Sequence, residues 1–263
     1  MQVGEILVKL AMLLLLVYML ACAYLYWNQR SMVFFRGSAM PTPTQAGVMT
    51  LENAGATLKI WQIHPQQPDA IIYFGGNAEN VGNSIGAFAN HFGQHSVYLA
   101  NYRGYAGSSG DPSEVAFFED AVALYDSVSR QHRKVLVIGR SLGSGVAVYL
   151  ATQRKIEKLV LVTPYDSVEN VASNRFPVFP VRFLLKDKFN SLPRAQQIQI
   201  PTLMLLAQHD TVVPHPHSQQ LFAALATSSK SSQLFPLTDH NSIIEDASYW
   251  QRLQQFFAVS SIK

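Results

Sequence analysis

The feature of this 263-residue sequence that most narrows its fold is an alternation of two kinds of segment. Short apolar runs rich in β-branched residues occupy positions 57–63, 70–74, 96–100, 134–138, 158–163 and 202–207, with a weaker one at 233–237. Helix-like segments stand between most of them, at 80–92, 113–131, 142–153, 218–225 and 242–257. In 113–131 the start is explicit: Ser113 follows Pro112 and precedes Glu114, and Val115, Phe118, Val122 and Tyr125 recur at helical spacing. Strand followed by helix, repeated, predicts a mostly parallel sheet covered on both faces, an α/β architecture. Ligands of such sheets bind at the carboxyl ends of the strands.

Composition narrows the function. Hydrophobic residues make up 48% of the chain, enough for a full core. The formal net charge is only +3, with lysines and arginines scattered rather than striped, so no nucleic-acid partner is expected. Cys22 is the one cysteine, which excludes an intrachain disulfide and a cysteine-based metal site.

Residues 10–27, LAMLLLLVYMLACAYLYW, carry no charge and end in Tyr24, Tyr26 and Trp27, rings that favour a membrane interface. With residues 6–9 the run reaches the roughly 20 residues needed to span a bilayer. Residues 1–29 are therefore read as a single-pass membrane anchor, 30–47 (with Pro41 and Pro43) as a linker, and 48–263 as one catalytic domain. A cleaved signal peptide ending near Ala21-Cys22-Ala23, or a lipoprotein signal ending at Cys22, shares the hydrophobicity. The run is long for the first, and Met19 and Leu20 fit the second poorly. Lys9 on one side against Arg30 and Arg36 on the other leaves the orientation open. Residues 175–190, RFPVFPVRFLLKDKFN, break the alternation after a strand and are read as a short cap, either packed on the core or lining an apolar substrate channel.

Gly139-Arg140-Ser141-Leu142-Gly143 is G-x-S-x-G, placed between an apolar strand and a helix. A strand turning sharply into a helix forces the serine into strained angles and brings together the residues two before and two after it, where only glycine fits. Five letters arise by chance in about one chain in ten of this length, so the flanking strand and helix carry the reading. Ser141 is the expected nucleophile. Of eight histidines, His64, His91, His95 and His132 precede it at element ends and are expected to be solvated. His215 and His217 flank Pro216 with no third metal ligand nearby. His240 follows the last strand on the same sheet edge as Ser141, and is the expected base. Asp210 follows the strand at 202–207 and is preferred as the orienting acid to Asp166, while Asp239 is too close in sequence to reach the His240 ring. Backbone amides of Leu142, after the nucleophile, and Asn77, in the Gly75-Gly76-Asn77 loop, are the expected oxyanion donors. Tyr102-Arg103-Gly104 is read as shaping a loop near the site. Substrate-contacting residues are not assigned.

The stretches IYFGGNAENV, NYRGYAGSSGDPSE, GRSLGSGVA, HDTVVP and DHN, in this order behind an apolar N-terminus, resemble the bud-emergence-suppressor-like branch of the α/β-hydrolases. The likeness runs from about residue 30 to the C-terminus, and 101–114 is its most specific segment. That branch includes membrane-anchored serine hydrolases, some of which remove palmitate from protein cysteines. The resemblance implies an α/β-hydrolase fold, Ser141 as nucleophile, Asp210 as acid, His240 as base, and Leu142 and Asn77 as oxyanion donors. Gly75, Glu79 and Asp239 stand where the branch usually has His, Gly and Gly. The expectation is a membrane-tethered hydrolase of carboxylic esters or thioesters, with a small-molecule or acylated substrate and no cofactor or metal. A serine peptidase and a catalytically silent membrane scaffold are the alternatives.

Overall fold

The computed structural model describes residues 2–36 and 45–258, so the expected linker lies outside the described residues from 37 to 44. A long helix α1 (Gln2–Val33) precedes β1 (Gly47–Asn53), β2 (Ala56–Ile63) and β3 (Asp69–Phe74). A short 3-10 turn leads into α2 (Ile85–His91), then come β4 (Ser96–Ala100), α3 (Glu114–Ser129), β5 (Lys134–Arg140), α4 (Leu142–Gln153) and β6 (Lys158–Val162). The short helices α5 (Val168–Arg175), α6 (Val181–Leu184) and α7 (Leu192–Ala195) follow, and the chain closes with β7 (Thr202–Ala207), α8 (His215–Ala224), β8 (Lys230–Phe235) and α9 (Ala247–Ala258).

The strands form one 8-stranded sheet in the order β1-β2-β4-β3-β5-β6-β7-β8 among the described residues. From β4 to β8 every neighbouring pair is parallel, and β2 joins β4, and β1 joins β2, antiparallel. The mostly parallel sheet is the one that the alternation predicts, and the arrangement is the α/β-hydrolase fold that the resemblance implies. Alternate side chains of each strand enter opposite layers. Ala70, Ile72, Val135 and Val137 pack with α3 and α4, whereas Ile71, Tyr73, Leu136 and Ile138 pack with α2 and α9.

The sequence reading missed β1. It is an edge strand with exposed and half-buried residues alternating, so it lacks a continuous apolar run. It pairs with β2 through the two-residue loop Ala54-Gly55, with φ of +44° and +75°, angles that Asn-Gly would have announced more clearly. Helix α1 continues beyond Gln29, the last residue of the expected anchor, to Val33, so the expected linker begins as helix. Phe34 then enters the core, its ring 5.3 Å from that of Phe117. His132, expected to be solvated, is buried, with Nε2 2.7 Å from the Tyr98 hydroxyl and Nδ1 2.8 Å from the Gln67 carbonyl. In the 175–190 segment, Arg175 ends α5 and Phe189 is fully buried, while the residues between them hold α6 and stand largely in the open.

Arg103 anchors the loop after β4. Its guanidinium meets both oxygens of Asp120 on α3, at 2.6 and 3.0 Å, and donates to the Asn53 carbonyl of the β1–β2 hairpin at 3.2 Å. Both side chains are about nine-tenths buried. Breaking such a pair strands a charge in low dielectric and costs on the order of 3 kcal/mol. Asp120→Ala is expected to lower the unfolding free energy by that order, measured by denaturant unfolding followed by circular dichroism in detergent. Arg133→Ala, which removes the mostly exposed partner of Asp69, is expected to shift it by about 1 kcal/mol at most.

Candidate active site

The site is built at the carboxyl end of β5. Ser141 joins β5 to α4 with φ +48° and ψ −117°, a left-handed backbone at a non-glycine residue. Its amide donates to the Val162 carbonyl of β6 at 2.8 Å, which locks the turn onto the sheet. The two flanking glycines make the turn possible. A Cβ on Gly139 would lie 2.4 Å from the Gly143 carbonyl oxygen, and one on Gly143 would lie 2.1 Å from the Phe74 oxygen of β3. The Ser141 hydroxyl is thereby held above the sheet edge, and the Leu142 amide is left at the positive end of α4.

Two later strands bring a base and a carboxylate to that hydroxyl. Asp210 follows β7 and His240 follows β8, and the two loops are joined by the His209 amide donating to the Thr238 carbonyl at 3.0 Å. His240 Nε2 lies 2.8 Å from Ser141 Oγ, and His240 Nδ1 lies 2.8 Å from Asp210 Oδ2. A carboxylate only accepts, so it fixes the proton on Nδ1 and leaves Nε2 to receive the serine proton. The other Asp210 oxygen accepts from the Val212 and Val213 amides at 2.9 and 2.7 Å, which sets the carboxylate's orientation. The His240 and Asp210 side chains are 8% and 3% exposed, so the pair interacts away from bulk water.

The loop after β3 supplies the facing wall. A Cβ on Gly76 would stand 3.5 Å from Ser141 Cβ, so the Gly76–Asn77 peptide passes directly beside Ser141. The Gly76 amide is already committed to Glu79 Oε2 at 2.6 Å. The Asn77 side chain is also committed: its oxygen accepts from the Phe35 amide and the Tyr105 hydroxyl at 3.1 and 2.9 Å, and its nitrogen donates to the Val33 carbonyl at 2.6 Å. The end of α1 is thus bonded to the loop beside Ser141. Phe35, Gly76, Asn77, Ser141, Val212 and His240 line a cleft of about 240 Å³.

Sequence reasoning assigned no role to Arg140 and noted Glu79 only as a departure. Glu79 accepts from the Tyr73 hydroxyl at 2.7 Å, the Gly76 amide and Arg140 Nη1 at 2.9 Å. Arg140 Nη2 in turn reaches the His240 carbonyl and Asn241 Oδ1, each at 3.3 Å. One buried ion pair therefore ties the loop beside Ser141 to the loop that carries His240. Burial, and next the Glu79 carboxylate, push the Tyr73 phenol well above its ordinary range and keep it a donor. Burial pulls the Arg140 guanidinium down, but Tyr73 and Glu79 outweigh it and hold the group above its ordinary value. The available signal was an arginine directly after the apolar run 135–139, which needs a carboxylate partner once buried.

The competing residues have other partners. Asp166 holds the buried His217 through Oδ1 and Nδ1 at 2.9 Å, and Asn174 Nδ2 meets His217 Nε2 at 3.0 Å. His215 Nε2 donates to the Ala207 carbonyl at 2.8 Å. Asp239 caps the turn after it, and the Ser242 and Asn241 amides hold its carboxyl below the usual range.

Residues 82–257 match the alpha/beta hydrolase family. The chain is 32% identical over 230 residues to an uncharacterised protein of Mycobacterium tuberculosis, covering 82% of each. It is 30% identical to an uncharacterised membrane protein of Saccharomyces cerevisiae, covering 76% of this chain and 74% of that protein. Protein bem46 of Schizosaccharomyces pombe is 25% identical, over 94% of this chain and 92% of its own. Among solved structures, an esterase of Pyrococcus furiosus superposes with a TM-score of 0.69 at 18% identity, covering 85% of this chain and 95% of its own, a likeness of fold.

The close approach of Gly143 to β3 yields a direct test. Gly143→Ala is expected either to prevent accumulation of folded protein or to lower stability by about 3 kcal/mol, through overpacking of β3 against α4, measured by thermal denaturation. Ser144→Ala, one residue further into α4, carries no such clash and is expected to fold normally.

Proposed function

The chain belongs to the α/β-hydrolase family, and from that premise we propose that it is a membrane-anchored serine hydrolase of carboxylic esters or thioesters. The observation that carries the reading is the continuous chain Asp210–His240–Ser141, with 2.8 Å at each of its two joints. Ser141 Oγ attacks the acyl carbon while its proton passes to His240 Nε2, and Asp210 stabilises the imidazolium. The carbonyl π pair moves to oxygen, and the Leu142 and Asn77 amides receive that oxyanion. Collapse expels the alcohol or thiol, which takes the proton from His240. Water then attacks the acyl-enzyme with His240 as base, releasing the carboxylic acid and restoring Ser141.

The membrane reading is supported by residues 3–33, a helical stretch with mean hydropathy 2.6 in its most apolar window and only 6% of that window buried. A relative named as a membrane protein agrees with it. Ester chemistry fits the name borne by the Pyrococcus furiosus esterase.

On p-nitrophenyl esters and acyl thioesters, Ser141→Ala and His240→Ala are each expected to lower kcat by at least ~10³-fold with the fold intact. Full retention of activity in either variant, or faster turnover of aminoacyl amides by the wild type, would contradict the reading. Glu79→Gln is expected to lower kcat about tenfold with a smaller change in KM, because a neutral amide leaves Arg140 without its charge partner and loosens both loops. An unchanged kcat would remove Glu79 from the positioning role.

A further inference from the structure

The face of α1 that the rest of the chain covers lies within the stretch a bilayer has to accept. Tyr18, Cys22, Leu25 and Gln29 form one stripe along α1, half-buried or buried, while the helix around them is mostly exposed. Both ends of this stripe are held by the segment between α5 and the buried Phe189. The Tyr18 hydroxyl donates to the Val178 carbonyl at 2.9 Å, and its ring stacks on Phe179 with centroids 6.1 Å apart. Gln29 donates to the Leu184 carbonyl at 2.8 Å and accepts from the Lys186 amide at 2.7 Å. Just beyond, Arg30 pairs with Asp187 at 2.9 Å. Tyr18 and Gln29 are about 17 Å apart along the helix axis, more than half the ~30 Å thickness of a hydrocarbon core.

The charge-free part of α1 runs from residue 10 to residue 29, a length of about 30 Å that matches one hydrocarbon core. If the covered part stood outside the bilayer, residues 10–17 would remain, about 12 Å. Extending the span back to Gln2 adds about 12 Å, takes in Glu5 and Lys9, and still falls short. A membrane that accepts α1 must therefore accept the segment docked on it.

The segment suits that environment. Residues 176–181, FPVFPV, are uncharged and bounded by Arg175 and Arg182, which can reach back to headgroups. Phe176, Val178 and Phe183 are 54%, 73% and 83% exposed. Exposed backbone donors are costly in lipid, and here Pro177 and Pro180 have none, while the amides of Phe176, Phe179, Val181, Phe183, Leu184 and Leu185 all donate within the segment or to α5.

We propose that residues 176–185 form a membrane-inserted cap that docks on α1 inside the bilayer. Ser141's cleft, walled by Phe35 just after α1, then stands at the headgroup layer and takes amphiphilic acyl esters or thioesters sideways from that leaflet. The inference rests on the membrane anchor proposed above, and its test separates the two. Full-length protein with Cys22→Ala is reconstituted in phosphatidylcholine–phosphatidylglycerol vesicles and labelled with an environment-sensitive fluorophore at Leu14→Cys, Val178→Cys or Val115→Cys. Lipids carrying a doxyl quencher in mid-chain are expected to quench positions 14 and 178 at least twofold and leave 115, on the exposed face of α3, unchanged. Quenching at 14 with 178 behaving like 115 overturns the inserted cap and leaves the anchor standing. No quenching at 14 overturns the anchor, and the inserted cap with it. For delivery, Phe183→Asp is expected to lower hydrolysis of vesicle-borne long-chain esters at least tenfold while soluble short-chain esters change less than twofold. Equal effects on the two substrates would overturn delivery from the leaflet.

Discussion

The positive-φ turn at Ser141 is the constraint on which the rest of the site depends. A serine at φ +48° is not a conformation the residue adopts freely, and it persists because its surroundings leave no alternative. The Val162 carbonyl of β6 holds its amide, while α4 approaches β5 at Gly139 and β3 at Gly143 so closely that no side chain fits at either glycine. Packing energy in the sheet is thus used to present one hydroxyl. It also leaves the Leu142 amide at the start of α4, so that a hydroxyl and a backbone donor emerge from a single turn.

A second layer of order comes from the Arg140–Glu79 pair. Ser141 sits on the sheet, but the Gly76–Asn77 peptide and His240 arrive on separate loops, and each could drift. Glu79 grips the first loop through the Gly76 amide, and Arg140 holds the second through the His240 carbonyl. The pair itself is almost out of water, so its hydrogen bonds are strong and its separation is costly. Asn77 extends the same network to Val33 and Phe35, which brings the end of the apolar helix into the wall of the cleft. If α1 spans a bilayer and carries the cap with it, this is the route by which membrane depth and catalytic geometry are coordinated.

Much of this was legible in the residues. The order of strands and helices follows from β-branched runs alternating with helical periods, and G-x-S-x-G pointed to a turn whose backbone does adopt a left-handed angle. Asp210 and His240 were singled out by their places after strands, and they are the residues bonded in line with Ser141. Edge strand β1 escaped because only a half-buried alternation marks it and Ala54-Gly55 is a weak turn signal. Glu79 and Arg140 meet across 61 residues of sequence, a pairing that topology creates and local pattern does not announce. The same holds for Tyr18 and Val178: periodicity identifies an apolar helix, yet nothing local says which face another segment will cover.

That Ser141 is the activated nucleophile can be read out by covalent capture. The intact protein is treated with a fluorophosphonate, weighed by mass spectrometry, and digested to locate the adduct. One equivalent of phosphonylation is expected on the peptide containing Ser141, with labelling abolished by Ser141→Ala and strongly slowed by His240→Ala. Absence of an adduct on folded wild-type protein, or an adduct confined to a different residue, would contradict it.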